Sequence, residues 1–194
     1  EIHNASKTIL NEKNMVGGDS DYNAFNCTLI QIDLDLLDIY APDVTKYYNG
    51  PERFVVTITD KVGNPLANEP VKVTINGQPY DRKTGADGRT TFGINLRSGS
   101  YEATTEHAGE IIKSTITVKT TVISKDITKI FRNGTNYEAS FLDKKGNKAP
   151  AGEKVSININ GVFYQRTIKD DGSISFALNL EQGTYVLTMT NPYL

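Results

Sequence analysis

Val71-Lys72-Val73-Thr74-Ile75-Asn76-Gly77 reads as a strand running into a tight turn, and Val155-Ser156-Ile157-Asn158-Ile159-Asn160-Gly161 writes it again 84 residues on. In both, apolar side chains fall at every second position, the period of a half-buried strand. Asn-Gly then supplies the two positive-φ residues that a two-residue hairpin requires. The duplication extends outward from this pair. Asp60-Lys61-Val62-Gly63-Asn64 answers Asp143-Lys144-Lys145-Gly146-Asn147, and Asp87-Gly88 answers Asp171-Gly172. Gly99-Ser100-Tyr101 answers Gly183-Thr184-Tyr185. Each copy opens alike, with Asp43-Val44-Thr45-Lys46-Tyr47-Tyr48 and Asp126-Ile127-Thr128-Lys129-Ile130-Phe131. The spacing is 83 residues up to Asn64 and 84 after it, so one residue is inserted in a loop. A unit of this length can bury a core of its own, unlike a short solenoid repeat.

The remaining strands follow from the same alternation. Phe54, Val56 and Ile58 share one face in the first copy, as do Tyr137, Ala139 and Phe141 in the second. Thr90, Phe92, Ile94 and Leu96 correspond to Ile174, Phe176, Leu178 and Leu180. Ile112, Ser114, Ile116 and Val118 form a closing strand in the first copy only, because the second stops after Tyr185, Leu187 and Met189. Short strands at this density, with Gly, Asn, Asp and Pro between them, predict an all-β chain of two-sheet sandwiches in tandem. The division predicted is 1–40, an N-terminal segment with the closing strand and linker of a preceding unit; 41–123, the first sandwich; and 124–194, the second. Ile30-Gln31-Ile32-Asp33-Leu34 carries the closing-strand pattern, at the same 84-residue spacing from Ile116 and Val118.

Composition narrows the function. A net charge of −2 and a pI near 5.7 leave no basic footprint for nucleic acid. No apolar run is long enough to cross a membrane as a helix. Cys27, the only cysteine, cannot form a disulfide within the chain, which suits a cytosolic protein or an exported one stabilised otherwise. Glu1-Ile2-His3-Asn4 shows neither a signal peptide nor an initiating methionine, which reads as a processed or excised chain.

The order Asn64-Pro65-Leu66-Ala67-Asn68-Glu69-Pro70-Val71, Asn76-Gly77, Asp87-Gly88 and Leu96-Arg97-Ser98-Gly99-Ser100-Tyr101 resembles the bacterial immunoglobulin-like repeat of surface adhesins. The two openings, Asp43–Tyr48 and Asp126–Lys129, resemble those of the adhesin-like surface proteins of methanogenic archaea. The resemblance spans about 41–194. It implies immunoglobulin-like sandwiches, an extracellular cell-surface location, and a non-catalytic stalk or adhesion module without cofactors. Its partner would be a protein or glycan on a host or neighbouring cell. Lys148-Ala149-Pro150-Ala151-Gly152 departs from the pattern of Pro65–Asn68.

Candidate sites are few. His3 and His107 are the only histidines, and neither forms an evident nucleophile pair with Cys27. Asp33, Asp35, Asp38 and Asp43 are weak calcium candidates, since hard cations take several oxygens, but Asp33 and Asp35 alternate with apolar residues as a solvated strand face would. Asn4, Asn26 and Asn133 head sequons. Related domains sometimes carry a Lys–Asn isopeptide bond, for which Lys129 and Asn191 are the nearest pair; His107 replaces Asn191 in the first copy. Tyr47, Tyr48 and Tyr164 could stack on sugars in a carbohydrate-binding module, whereas the recurrence of Tyr80 as Tyr164 suits packing better. The unmatched closing strand leaves two readings open. Either the chain is a slice of a longer array, or it is a filament subunit whose N-terminal strand completes the second sandwich of the next molecule, head to tail.

Overall fold

The computed structural model describes residues 37–192, which form fourteen β-strands; among the described residues there is no helix. The first eight strands build one sandwich. β1 (Leu37–Tyr40), β3 (Phe54–Asp60) and β6 (Arg89–Phe92) make one sheet in the order β1-β3-β6. The other contains β2 (Val44–Tyr47), β8 (Glu110–Lys119), β7 (Gly99–His107), β4 (Pro70–Ile75) and β5 (Gln78–Lys83), in the order β2-β8-β7-β4-β5. Every pair is antiparallel except β2 with β8, where Val44 faces Ile116 and Tyr47 faces Lys119 in parallel register. The opening segment is thus split, β1 lying on one sheet and β2 on the other. With the Greek-key strand order, this is an immunoglobulin-like sandwich.

The alternating side chains meet between the sheets. Phe54, Val56 and Ile58 from β3 and Val71, Val73 and Ile75 from β4 are buried together with Phe92, Ile94, Ala103, Ile116 and Val118. At the corner before β7 the Tyr101 hydroxyl donates to the Arg97 carbonyl at 2.9 Å, and Tyr185 does the same to Glu181 at 3.2 Å. Such a tyrosine corner pins the loop to the strand that follows it.

A second set of strands repeats the arrangement around a separate core. β10 (Asn136–Phe141) lies between β13 (Ser173–Ala177) and β9 (Val122–Ser124). β11 (Lys154–Ile159) lies between β12 (Val162–Thr167) and β14 (Leu187–Met189). The register is copied: Val73 faces Thr105 and Ile157 faces Met189. Tyr137, Ala139, Phe141, Val155, Ile157, Ile159, Ile168, Ile174 and Phe176 are buried in this core. Both hairpins have the expected turn, with φ of 49° and 77° at Asn76-Gly77 and 46° and 92° at Asn160-Gly161.

Several expectations change. Leu37–Tyr40, expected in the linker of a preceding unit, is a strand on β3, and Val122–Ser124, across the boundary expected at 123/124, is a strand on β10. Their brevity and mixed exposure hid them, with Tyr40 and Ile123 facing solvent. Strand β6 ends at Phe92 rather than reaching Leu96, and in the second copy only Leu187–Met189 of the expected Tyr185–Met189 is paired. The divergent loop keeps its geometry. Leu66 N–H donates to Ile58 O and Ala149 N–H to Phe141 O, both 83 residues apart in register. Asn68 N–H donates to Thr84 O and Gly152 N–H to Ile168 O, now 84 apart. The inserted residue therefore lies in Pro150-Ala151. Asn68 and Gly152 both hold positive φ, at 62° and 97°, so glycine replaces asparagine without changing the turn.

Candidate functional site

The two sandwiches differ most along one edge. In the first, β8 lies between β2 and β7. Among the described residues no strand takes that place in the second, and its neighbours respond. Residues 126–131, which match β2 and its surroundings, form no ladder, because β8 is the only strand to which β2 bonds. Residues 183–186 match Gly99–Glu102, whose ladder partner is β8, and they form no strand; only the bond at the hairpin is kept, Asn160 N–H donating to Val186 O as Asn76 N–H does to Glu102 O. Burial changes with pairing. Val44 and Tyr101 pack against the first core, whereas Ile127 and Tyr185 are exposed, as is Ile130 at 77% where the matching Tyr47 is half-buried. Within residues 37–192 this edge of the second sandwich therefore lacks a bonding strand; the positions that would match β8 lie outside the described residues.

Matched lysines anchor the outer segment of each sandwich. Lys46 is only 4% exposed, and its ammonium donates to Ile94 O at 3.1 Å and Glu52 O at 3.4 Å. Lys129 makes the matching bonds to Leu178 O at 3.1 Å and Thr135 O at 2.8 Å. Burial lowers the Lys46 pKa below the ordinary lysine value, with the nearby Glu52 carboxylate opposing that shift. So the segment before β10 is tethered across the sandwich even without a strand beside it. Composition hides this role, since a lysine in a strand reads as a solvated residue. The only signal is the Thr-Lys pair recurring in both openings.

The predicted site residues scatter. Asp33, Asp35, Asn4 and Asn26 lie outside the described residues. Asp38 is exposed on β1, and Asp43 Oδ1 accepts the Thr115 amide at 2.6 Å, fastening the start of β2 to β8. Among the described residues no group of three or more His, Cys, Asp and Glu side chains is placed to hold a metal ion. Asn133 is exposed, its side-chain oxygen accepting the Thr135 amide at 3.1 Å. Lys129 and Asn191 reach different backbone groups, Asn191 Nδ2 donating to Leu142 O at 2.8 Å and Thr121 O at 3.2 Å. His107, at the equivalent place, puts Nδ1 2.7 Å from Pro70 O; a carbonyl can only accept, so Nδ1 carries the proton.

The tyrosines are mostly committed to packing. Tyr80 meets Phe92 edge-on at 6.3 Å, and Tyr164 packs on the second core. The Tyr47 ring lies against Gly146 of the second sandwich, with the Lys119 ammonium 5.5 Å from its centre. Tyr48 remains exposed.

No protein-family model matches the sequence, and no curated protein matches it. Solved structures do. A calcium-stabilised adhesin with which an Antarctic bacterium binds ice is 19% identical at a TM-score of 0.26, over 79% of this chain and 46% of that one. Invasin, a bacterial integrin-binding protein, is 21% identical at a TM-score of 0.37, over 81% and 36%. A β-glucuronidase of Bacteroides uniformis is 14% identical at a TM-score of 0.29, over 80% and 23%. The chain spans less than half the length of each of these three, and likenesses of this strength carry no argument about activity.

Proposed function

We propose that the chain is a non-catalytic segment of a cell-surface protein, of the adhesin-like kind found in methanogenic archaea. In it, two immunoglobulin-like modules transmit tension between a cell and what it touches. The modules are residues 37–119 and 122–192, so each begins at its first paired strand. The observation that carries this reading is the parallel pairing of β2 with β8. These strands lie near the two ends of the first module, and they run the same way. Tension along the chain therefore pulls them past each other and loads the Val44–Tyr47 ladder in shear, all bonds at once, rather than unzipping it. The connection to the second module is short, Thr120-Thr121, and Thr121 O is held by both the Leu142 amide and Asn191. Distal specificity would lie in exposed loops or in neighbouring modules.

Pulling single molecules by their termini tests it. The first module should yield in one high-force event that releases about 3.4 Å for every residue from Val44 to Lys119, less its folded length. A Val44→Pro change, which distorts the ladder, should lower that force. A first module that opens at the same low force as the second, with or without the change, would remove the mechanical reading.

A further inference from the structure

In each module the sheet that holds the Asn-Gly hairpin ends in the hairpin's second strand, β5 in the first and β12 in the second. We infer that β12 is a pairing edge, to which a second copy of the chain adds its own β12, antiparallel, about a two-fold axis through Gln165.

The direction of the backbone groups along β12 follows from its hairpin. On β11 the even-numbered residues bond towards β14: Asn160 N–H donates to Val186 O, and Ser156 O accepts from Thr190 N–H. The odd-numbered residues Val155, Ile157 and Ile159 therefore bond to Arg166, Tyr164 and Val162. That leaves the N–H and C=O of Phe163, Gln165 and Thr167 directed away from the sheet, where among the described residues no strand lies. Gln165 O accepts Arg166 Nη1 at 2.7 Å and keeps a second lone pair. All three side chains are exposed, Phe163 at 72%.

Edge strands are commonly guarded by proline or charge, and β5 carries both. At the places of Phe163, Gln165 and Thr167 it has Pro79, Asp81 and Lys83. Pro79 has no N–H to give, and a second β5 laid against the first would set Asp81 against its own copy. β12 carries neither guard. Its only charge, Arg166, is turned to the inner face, over the Phe176 ring.

One register uses every free group. With Gln165 opposite its own counterpart, Phe163 stands opposite Thr167, and each such pair exchanges both backbone bonds. Between them Tyr164 stands opposite Arg166, an aromatic ring beside a guanidinium, and no like charges meet. Moving the axis to Arg166 would oppose two guanidiniums. Moving it to Tyr164 would set Thr167 against Gly161 in the turn and leave it without a strand partner. A two-fold contact closes on itself, so the assembly ends at a dimer. One strand from each side makes a small interface, so the dimer is weak.

The inference stands apart from the mechanical reading, because a chain that never associates would overturn it and leave the β2–β8 shear geometry untouched. Sedimentation equilibrium of the 194-residue chain, carried to millimolar concentration, should follow a monomer–dimer equilibrium. Phe163→Pro copies the residue that the first module already accepts at this place, so the second module should melt unchanged while the dimer weakens roughly tenfold or more. Gln165→Asp should weaken it as well by opposing two carboxylates, and mixing that variant with Gln165→Lys should bring the dimer back. In a Cys27→Ser background with oxidised glutathione, Gln165→Cys should give a disulfide-linked dimer far faster than Asp81→Cys. A monomer at every concentration overturns the proposal. So does an association that survives either substitution, a mixture of the two charged variants that stays apart, equal cross-linking at 165 and 81, or growth beyond the dimer.

Discussion

Lys46 and Lys129 make the same bridge in two different settings. Each sends its ammonium to a carbonyl just past the end of the facing apolar strand, Ile94 beyond β6 and Leu178 beyond β13, at 3.1 Å in both. Around Lys46 the site is closed by β8 and the side chain is buried; Lys129 makes the bond with that flank open and is half-buried. The lysine therefore defines where the outer segment lies, and the neighbouring strand then seals it.

Replacing each lysine by methionine should separate these effects. Lys46→Met leaves the Ile94 carbonyl buried without its donor and should destabilise the first sandwich by about 1–3 kcal/mol. Lys129→Met exposes its carbonyl to water, so the second sandwich should lose well under that. Denaturant midpoints for the two transitions give the comparison, and equal losses would contradict the assignment.

Gly88 and Gly172 are matched positions under unequal constraint. Both have positive φ, 70° and 79°, and their carbonyls accept the Ile58 and Phe141 amides. A Cβ on Gly88 would sit 2.6 Å from Ile58 O and 2.9 Å from the Pro65 ring, whereas on Gly172 the nearest atoms are 3.2 Å and 3.4 Å away. Gly172→Ala should lose about 1 kcal/mol, chiefly from the left-handed backbone. Gly88→Ala should lose clearly more, because backbone must also shift. Thermal melts of the two variants check the order.

The acidic turns should make stability fall at low pH. At Asp60 the side-chain amide of Asn64, its backbone amide and the amide of Val62 hold the carboxyl below the ordinary value of 3.8. At Asp143, partial desolvation pushes the other way, but Asn147 and the amide of Lys145 outweigh it. Asp171 is lowered by the hydroxyl and amide of Ser173. A folded-state pKa below the unfolded one means the contribution is complete above about pH 4 and lost as pH falls through the folded value. Asp60→Asn with Asp143→Asn should flatten the slope of melting temperature against pH below 4. An unchanged slope would show that these turns do not titrate as described.

Much of this architecture was legible in the sequence, for physical reasons. Phe54-Val55-Val56-Thr57-Ile58 and Val155-Ser156-Ile157-Asn158-Ile159 alternate because one face must be dry, so both strands and their buried residues could be read directly. Asn-Gly at 76–77 and 160–161 declared its turn because few other residues tolerate both dihedrals. The opening strands were not legible: β1 and β9 are four and three residues long, and more than half of their side chains face water. The unpaired edge of the second sandwich was legible only as the closing strand that the second copy does not repeat. Its tether, Lys129, could not be found, because burial of a lysine depends on carbonyls brought from residues 135 and 178 by the fold.

Amide hydrogen exchange reads directly the edge along which the first sandwich is closed by β8 and the second, within residues 37–192, is not. Alternate amides across Gly99–Glu102 should be protected to the level of the first core, while those across Gly183–Val186 should exchange nearly as fast as free peptide, apart from Val186, whose amide lies 3.3 Å from Asn160 Oδ1. Equal protection of the two segments would contradict this reading of the edge.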